Sequence, residues 1–144
     1  MTAYRKNAMS GAWHLMPLIH VVFYPEQEGD APVIDWLKEL RTANTKAFLK
    51  CQSAISRLAL LGHELRRPEA GLLRHGLYEL RVRLGSVNYR LLYFFHGQTV
   101  SVIAHGLTKE AAVPAADIKR ARARKAAFIT NPTAHTFKGE SDDA

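Results

Sequence analysis

Gly76-Leu77-Tyr78-Glu79-Leu80-Arg81-Val82-Arg83-Leu84-Gly85-Ser86-Val87-Asn88-Tyr89-Arg90-Leu91-Leu92-Tyr93-Phe94-Phe95 reads as a β-hairpin that carries arginines. From Tyr78 to Leu84 the alternation is strict: Tyr78, Leu80, Val82 and Leu84 share one face, and Glu79, Arg81 and Arg83 share the other. That is the period-2 pattern of a strand with one buried side. Gly85-Ser86-Val87-Asn88 supplies the turn. The second run, Tyr89 to Phe95, is apolar on both faces, as a central strand is, except at Arg90. A guanidinium does not deprotonate to escape burial. Arg90 therefore finds a carboxylate, snorkels to an edge, or awaits an anion from outside.

Working outward, Leu18 to Tyr24 is a short apolar, β-branched run suited to an edge or second strand. Asp30-Ala31-Pro32 opens a helix, with Asp30 as cap, Pro32 in the first turn, and Val33, Trp36, Leu37 and Leu40 at helical spacing. After Thr42 to Asn44 a second helix sets Ala47, Phe48, Cys51, Ala54, Ile55, Leu58 and Leu61 on one face and stops at Gly62. The two form an antiparallel pair. His63 to His75 is a basic loop leading to the hairpin, and Thr99 to His105 makes a third sequential strand, so that a meander packs against the helix pair. Pro114 begins a last helix through about Ile129, with Ile118, Ala121, Lys125 and Phe128 as its stripe.

The 144 residues, 47% of them hydrophobic, suit one domain. Residues 17–129 form it, between a flexible extension at 1–16, polar and aperiodic over most of its length, and a disordered tail at 130–144. The stretch from Ala12 to Tyr24 is broken by His14, Pro17 and His20 and is too short to span a bilayer, which predicts a cytoplasmic protein with no membrane partner. The single cysteine, Cys51, excludes an internal disulfide and reads as core filler. A net charge of +7 points to a polyanionic partner. Between Arg66 and Arg90 six arginines face only Glu69 and Glu79. A second basic group, Lys119, Arg120, Arg122, Arg124 and Lys125, reads as a solvated helix face.

Three pieces follow one another in close spacing: Gly76 to Arg81, Tyr89 to Phe95, and Ala104-His105-Gly106-Leu107-Thr108-Lys109, with Pro114 and a basic helix after them. In these pieces the chain resembles the RelE/ParE superfamily of type II toxin-antitoxin toxins, and more closely its phage-derived HigB-like branch, over about Leu18 to Ile129. The resemblance implies an α+β, microbial-RNase-type fold: a twisted, mostly antiparallel sheet, two N-terminal helices on one face, and a C-terminal helix. It implies a ribosome-dependent endoribonuclease that cleaves mRNA through 2′-hydroxyl attack without a cofactor, its partners being the ribosome and message and a helix-turn-helix HigA-like antitoxin in a toxin-antitoxin hetero-oligomer. ParE-like members share the fold and poison DNA gyrase, and a degenerate member would only bind nucleic acid or antitoxin. By the same resemblance Arg81 orients or deprotonates the attacking hydroxyl, Arg90 binds the scissile phosphate, and Lys109 offsets charge on the phosphorane or leaving oxygen. The tyrosine that some RelE members place after this lysine is missing, since Glu110 to Ala116 contains no aromatic. Tyr93 or His105 takes its role, or ribosomal RNA does the stacking.

Such cleavage needs in-line positioning, neutralisation of phosphorane charge and proton transfer at both ends. Arginine, with a pKa above about 12, suits the first two tasks and is a poor base. Glu79 projects with Arg81 and serves either as general base or as ion-pair partner of Arg81 or Arg83. His105 titrates near neutrality at a strand end, which makes it a catalytic candidate or a hydrogen-bonded edge residue. Arg66, Arg67, Arg74, Arg83 and Tyr93 are the candidate RNA contacts, with His63 and His75 flanking the basic loop. Tyr89, Tyr93, Phe94 and Phe95 read either as a stacking platform or as core. No zinc spacing, phosphate-cradling glycine loop or nucleophile elbow occurs, so no metal site is expected.

Overall fold

The computed structural model describes residues 2–6, 13–17, 19–26, 30–109 and 112–132. Its elements are β1 (Thr2–Lys6), β2 (Trp13–Pro17), β3 (His20–Phe23), α1 (Pro32–Ala43), α2 (Thr45–Leu61), β4 (Ala70–Leu72), β5 (Tyr78–Leu84), β6 (Val87–His96), β7 (Val100–Lys109) and α3 (Ala115–Thr130), with a 3-10 turn at Gly62–Glu64. β3 to β7 form one five-stranded sheet in the order β3-β7-β6-β5-β4. The arrangement is the α+β, RelE-like one expected. β1 and β2 pair antiparallel in a separate two-stranded sheet, although the sequence there carries no strand pattern. Residues 7–12, Leu18 and the tail from 133 lie outside the described residues.

β5 and β6 make the expected hairpin with a tighter turn. Leu84 stands opposite Val87, so only Gly85-Ser86 turns and Val87 and Asn88 belong to β6. Gly85, at φ 63°, takes the left-handed conformation that a two-residue hairpin turn demands. β6 is central, as its two apolar faces require. β7 follows it antiparallel, and β3 then adds to the far edge of β7 in parallel, His20 opposite Val100. The basic loop is not all loop: Ala70–Leu72 pairs with β5 as the other edge strand, Gly71 opposite Glu79.

One face of the sheet packs on the α1/α2 pair through Leu80, Val82, Tyr89, Leu91, Tyr93 and Ile103, with Val33, Leu37, Ala47, Cys51 and Leu58 from the helices. Cys51 is fully buried, and burial pushes its thiol up to about 11. Asn44 caps α2 by accepting from the Ala47 N–H at 3.1 Å. Asp30 does not cap α1: Ala31 is the N-cap, without a side-chain bond, and Asp30 instead shares a hydrogen bond with Asp35 that raises its pKa. Pro32 fills the first helical position, where its missing N–H costs nothing.

α3 covers the other face, over Leu92, Phe94, Val102 and Ala104. Its inward stripe is Ile118, Ala121, Arg124 and Phe128; Arg124 takes the place expected for Lys125, which sits at the border and donates to the His75 carbonyl at 2.9 Å. A β-bulge shifts the β6/β7 register between Leu92 and Tyr93: Leu92 faces His105 and Tyr93 faces Ile103, leaving Ala104 extra. Ala104 and Leu107 consequently join the same α3-side cluster although they stand three positions apart, which uninterrupted alternation forbids. Among the described residues no helix is long and apolar enough to cross a membrane.

Candidate functional site

The hairpin register sets Arg81 directly opposite Arg90, on the α3 side of the sheet but beyond the part that α3 covers. Like charges placed opposite one another destabilise a sheet unless something intervenes. Glu79 intervenes. Arg81 Nε donates to Glu79 Oε1, and Arg90 Nη1 donates to Oε2 at 3.1 Å, so one carboxylate holds two guanidiniums. Glu79 is only 1% exposed, whereas the Arg81 side chain is 37% and that of Arg90 14% exposed. Arg90 Nε is buried with no partner among the described residues.

Gly71, across from Glu79 on β4, leaves room over which the guanidinium of Arg81 lies. A Cβ there would stand 3.5 Å from Arg81 Nη2 and 3.8 Å from Arg67 Nε, which brings a third cation close. Two arginines thus share one buried carboxylate, and a third stands near Gly71 beside them. Their surplus positive charge is what an entering phosphate needs. At the β5 edge lies a cleft of about 230 Å³, lined by Lys50, Arg57, Glu69, Arg81 and Arg83, in which Glu69 pairs with Arg57.

A second polar cluster lies on the same face. His105 Nε2 donates to Asp117 Oδ1 at 2.6 Å, its Nδ1 accepts from Arg124 Nη1 at 3.3 Å, and the same Nη1 donates to the Ala104 carbonyl at 2.6 Å. Arg124 is 6% exposed, reaches Glu26 at 3.5 Å and lies over the Tyr24 ring. Burial lowers the pKa of His105, against the pull of Asp117, so the neutral ring prevails. Both ring nitrogens are engaged. His105 thereby links β7 to α3, and Arg124, expected as a solvated cation, is a buried tie instead. A mixed-charge cavity of about 390 Å³ lies beside them, lined by His105, Gly106, Trp36, Glu39, Arg120 and Arg124 among others.

The other expected residues sort by place. Lys109 ends β7 opposite Asn88, two residues beyond Leu107, which faces Arg90; the bulge therefore brings β7 to the arginine hairpin in this phase. Arg83 is exposed and donates to the Gly85 carbonyl at 2.9 Å. Arg66, Arg67 and Arg74 are exposed around β4. Tyr93 is corrected: it is 1% exposed on the helix-pair side, stacked with Tyr78, and unable to meet RNA from there. Tyr89 and Phe94 are core as well. His63 stacks on Phe95 at 3.8 Å on the face away from Arg81, and His75 occupies a tight turn at φ 58°. Strand alternation had put Glu79 beside Arg81, but its burial and its bond to Arg90 follow from the β4 and β6 neighbours, which local pattern does not reveal. Among the described residues no group of three or more His, Cys, Asp or Glu could hold a metal ion.

The arrangement is suited to binding and stabilising a phosphoanion, and Glu79, the carboxylate between the arginines, is engaged by both. A family model described as "Phage derived protein Gp49-like (DUF891)" matches residues 35–126, which contain α2, the whole hairpin, β7 and most of α1 and α3. No curated protein gives a significant match.

Proposed function

The chain belongs to the phage-derived Gp49-like family, a family of type II toxin-antitoxin toxins related to RelE, and from that premise we propose that it is a ribosome-dependent mRNA endoribonuclease of the HigB-like kind. The observation that carries the proposal is the cross-strand pair Arg81 and Arg90, held by one buried carboxylate and left with positive charge to spare. Arg90 binds the scissile phosphate, Arg81 orients the 2′-hydroxyl for in-line attack, and Lys109 offsets charge as the phosphorane forms. The attacking oxygen bonds to phosphorus, the bond to the 5′-oxygen breaks, and the leaving alkoxide takes a proton. Glu79, bonded to two guanidiniums, is not the base that removes the hydroxyl proton; the ribosomal site or water supplies that function. The cytoplasm is the compartment of this activity, and a helix-turn-helix HigA-like antitoxin is its restraint.

The test is a translating system with a defined message, mapped by primer extension, run beside a gyrase supercoiling assay. Cuts within A-site codons that vanish in Arg81→Ala, Arg90→Ala and Lys109→Ala are the expected result. Intact message together with inhibited or trapped gyrase would move the assignment to a ParE-like poison. Neither effect from a folded protein would leave a degenerate member that only binds.

A further inference from the structure

We infer that Glu79 is a positioning residue of the phosphate site, a buried carboxylate whose two oxygens fix Arg81 and Arg90 relative to each other; this rests on the nuclease reading above. The hairpin register forces the two arginines to be cross-strand neighbours, and without a counter-charge their guanidiniums would swing apart. Glu79 stands one pleat along the same face and divides its oxygens between them, Oε1 to Arg81 and Oε2 to Arg90. At 1% exposure, between Gly71 and Leu92 in register, it is withdrawn from any substrate and acts only through the arginines. One negative charge cannot neutralise two positive ones. The pair is therefore held in place and still attractive to a phosphodiester, whose developing charge meets donors that need not reorganise.

This assignment makes an unusual demand on a substitution. Removing the negative charge should help RNA bind, because a repulsive carboxylate has gone, while harming the chemistry, because the donors lose their geometry. A role in packing alone would lower stability, binding and turnover together.

The full chain is compared with Glu79→Gln, which keeps shape and one acceptor, and with Glu79→Ala. Each is scored by melting temperature, by anisotropy with a 2′-O-methylated RNA hexamer, and by message cleavage on translating ribosomes resolved into kcat and KM. Glu79→Gln should stay folded, bind the hexamer as well as wild type or severalfold more tightly, and cleave about 10- to 100-fold more slowly, with the loss in kcat. A folded Glu79→Gln that cleaves at the wild-type rate overturns the inference and leaves the nuclease reading standing. A wild type that cuts no message overturns that reading, and this inference with it. If both variants unfold, wild-type NMR decides: solvent exchange at the Arg81 Nε–H slower than at exposed Arg66 supports the clamp, and equal exchange refutes it.

Discussion

Two charged clusters stand a pleat apart on the α3 side of the sheet, with Arg90 opposite Leu107 and Leu92 opposite His105, and they are built as opposites. In the first a carboxylate sits at the centre and arginines surround it. In the second an arginine sits at the centre, and a carbonyl, a histidine nitrogen and Glu26 surround it. Arg81 reaches solvent from the first cluster, whereas Arg124 is enclosed in the second. Burial of charge alone does not separate function from architecture. The sign and exposure of what is left over does: a surplus of partly exposed cations invites an anion, while an enclosed arginine bonded to β7 fastens a helix.

The contrast breaks most sharply at the arginines. Arg81→Ala should cost roughly 100- to 1000-fold in message cleavage, as removal of other charge-stabilising donors does, and some stability, since it strips the Oε1 bond from buried Glu79. Arg90→Ala should lose as much activity and also some stability, since it strips a bond from buried Glu79; a urea titration separates the two effects. Retained activity in a folded Arg81→Ala would dissolve the distinction between the clusters.

Arg124→Met should show the reverse. It preserves much of the packing but strands the Ala104 carbonyl and His105, lowering stability by about 2 kcal/mol in denaturant titration while cleavage by the folded protein changes little. An activity loss as large as that of Arg81→Ala would join the second cluster to the site.

A smaller effect is expected from acid. The folded-state pKa of His105 lies below its ordinary 6.5, so the unfolded chain binds that proton more readily. Its contribution to stability is full above pH 6.5 and is lost as pH falls through the lower folded value. The urea midpoint of wild type should therefore drop between neutral pH and pH 5 more steeply than that of His105→Gln, which has no titrating ring. Parallel curves would show that His105 titrates as it does in the unfolded chain. The smallest effect belongs to Gly71→Ala: the added methyl meets Arg81 Nη2 at an ordinary 3.5 Å, and cleavage should stay within about twofold of wild type.

Much of this was legible from residue order because the main elements carry their own periodicity: the α2 stripe from Ala47 to Leu61, the alternation from Tyr78 to Leu84, and Pro114 before α3. What escaped depends on partners distant in sequence. Ala70–Leu72 is too short to show alternation and contains a glycine, so β4 emerges only through pairing with β5. Arg124 looks like any helical surface cation until Ala104 and Glu26 close around it. The bulge at Ala104 changes the phase of β7 without any local mark, which is why alternation through His105 says nothing reliable about Leu107. The placement of Arg81 and Arg90 on one face of the hairpin could be read from its alternation. The deep burial of Glu79 between them could not, since it depends on the strands to either side.

The placement of β3 has a consequence for the order in which a chain leaving the ribosome becomes a whole sheet. Its partner on β7 begins at residue 100, so β3, the first of the five strands to be synthesised, waits without a neighbour until the last has been made. Glu79, Arg81 and Arg90 belong instead to a single local hairpin, whose closure asks for little loop entropy. The arginine–carboxylate hairpin is thus complete in the chain before β7 is made, while the edge that completes the sheet is joined only after β7 has emerged.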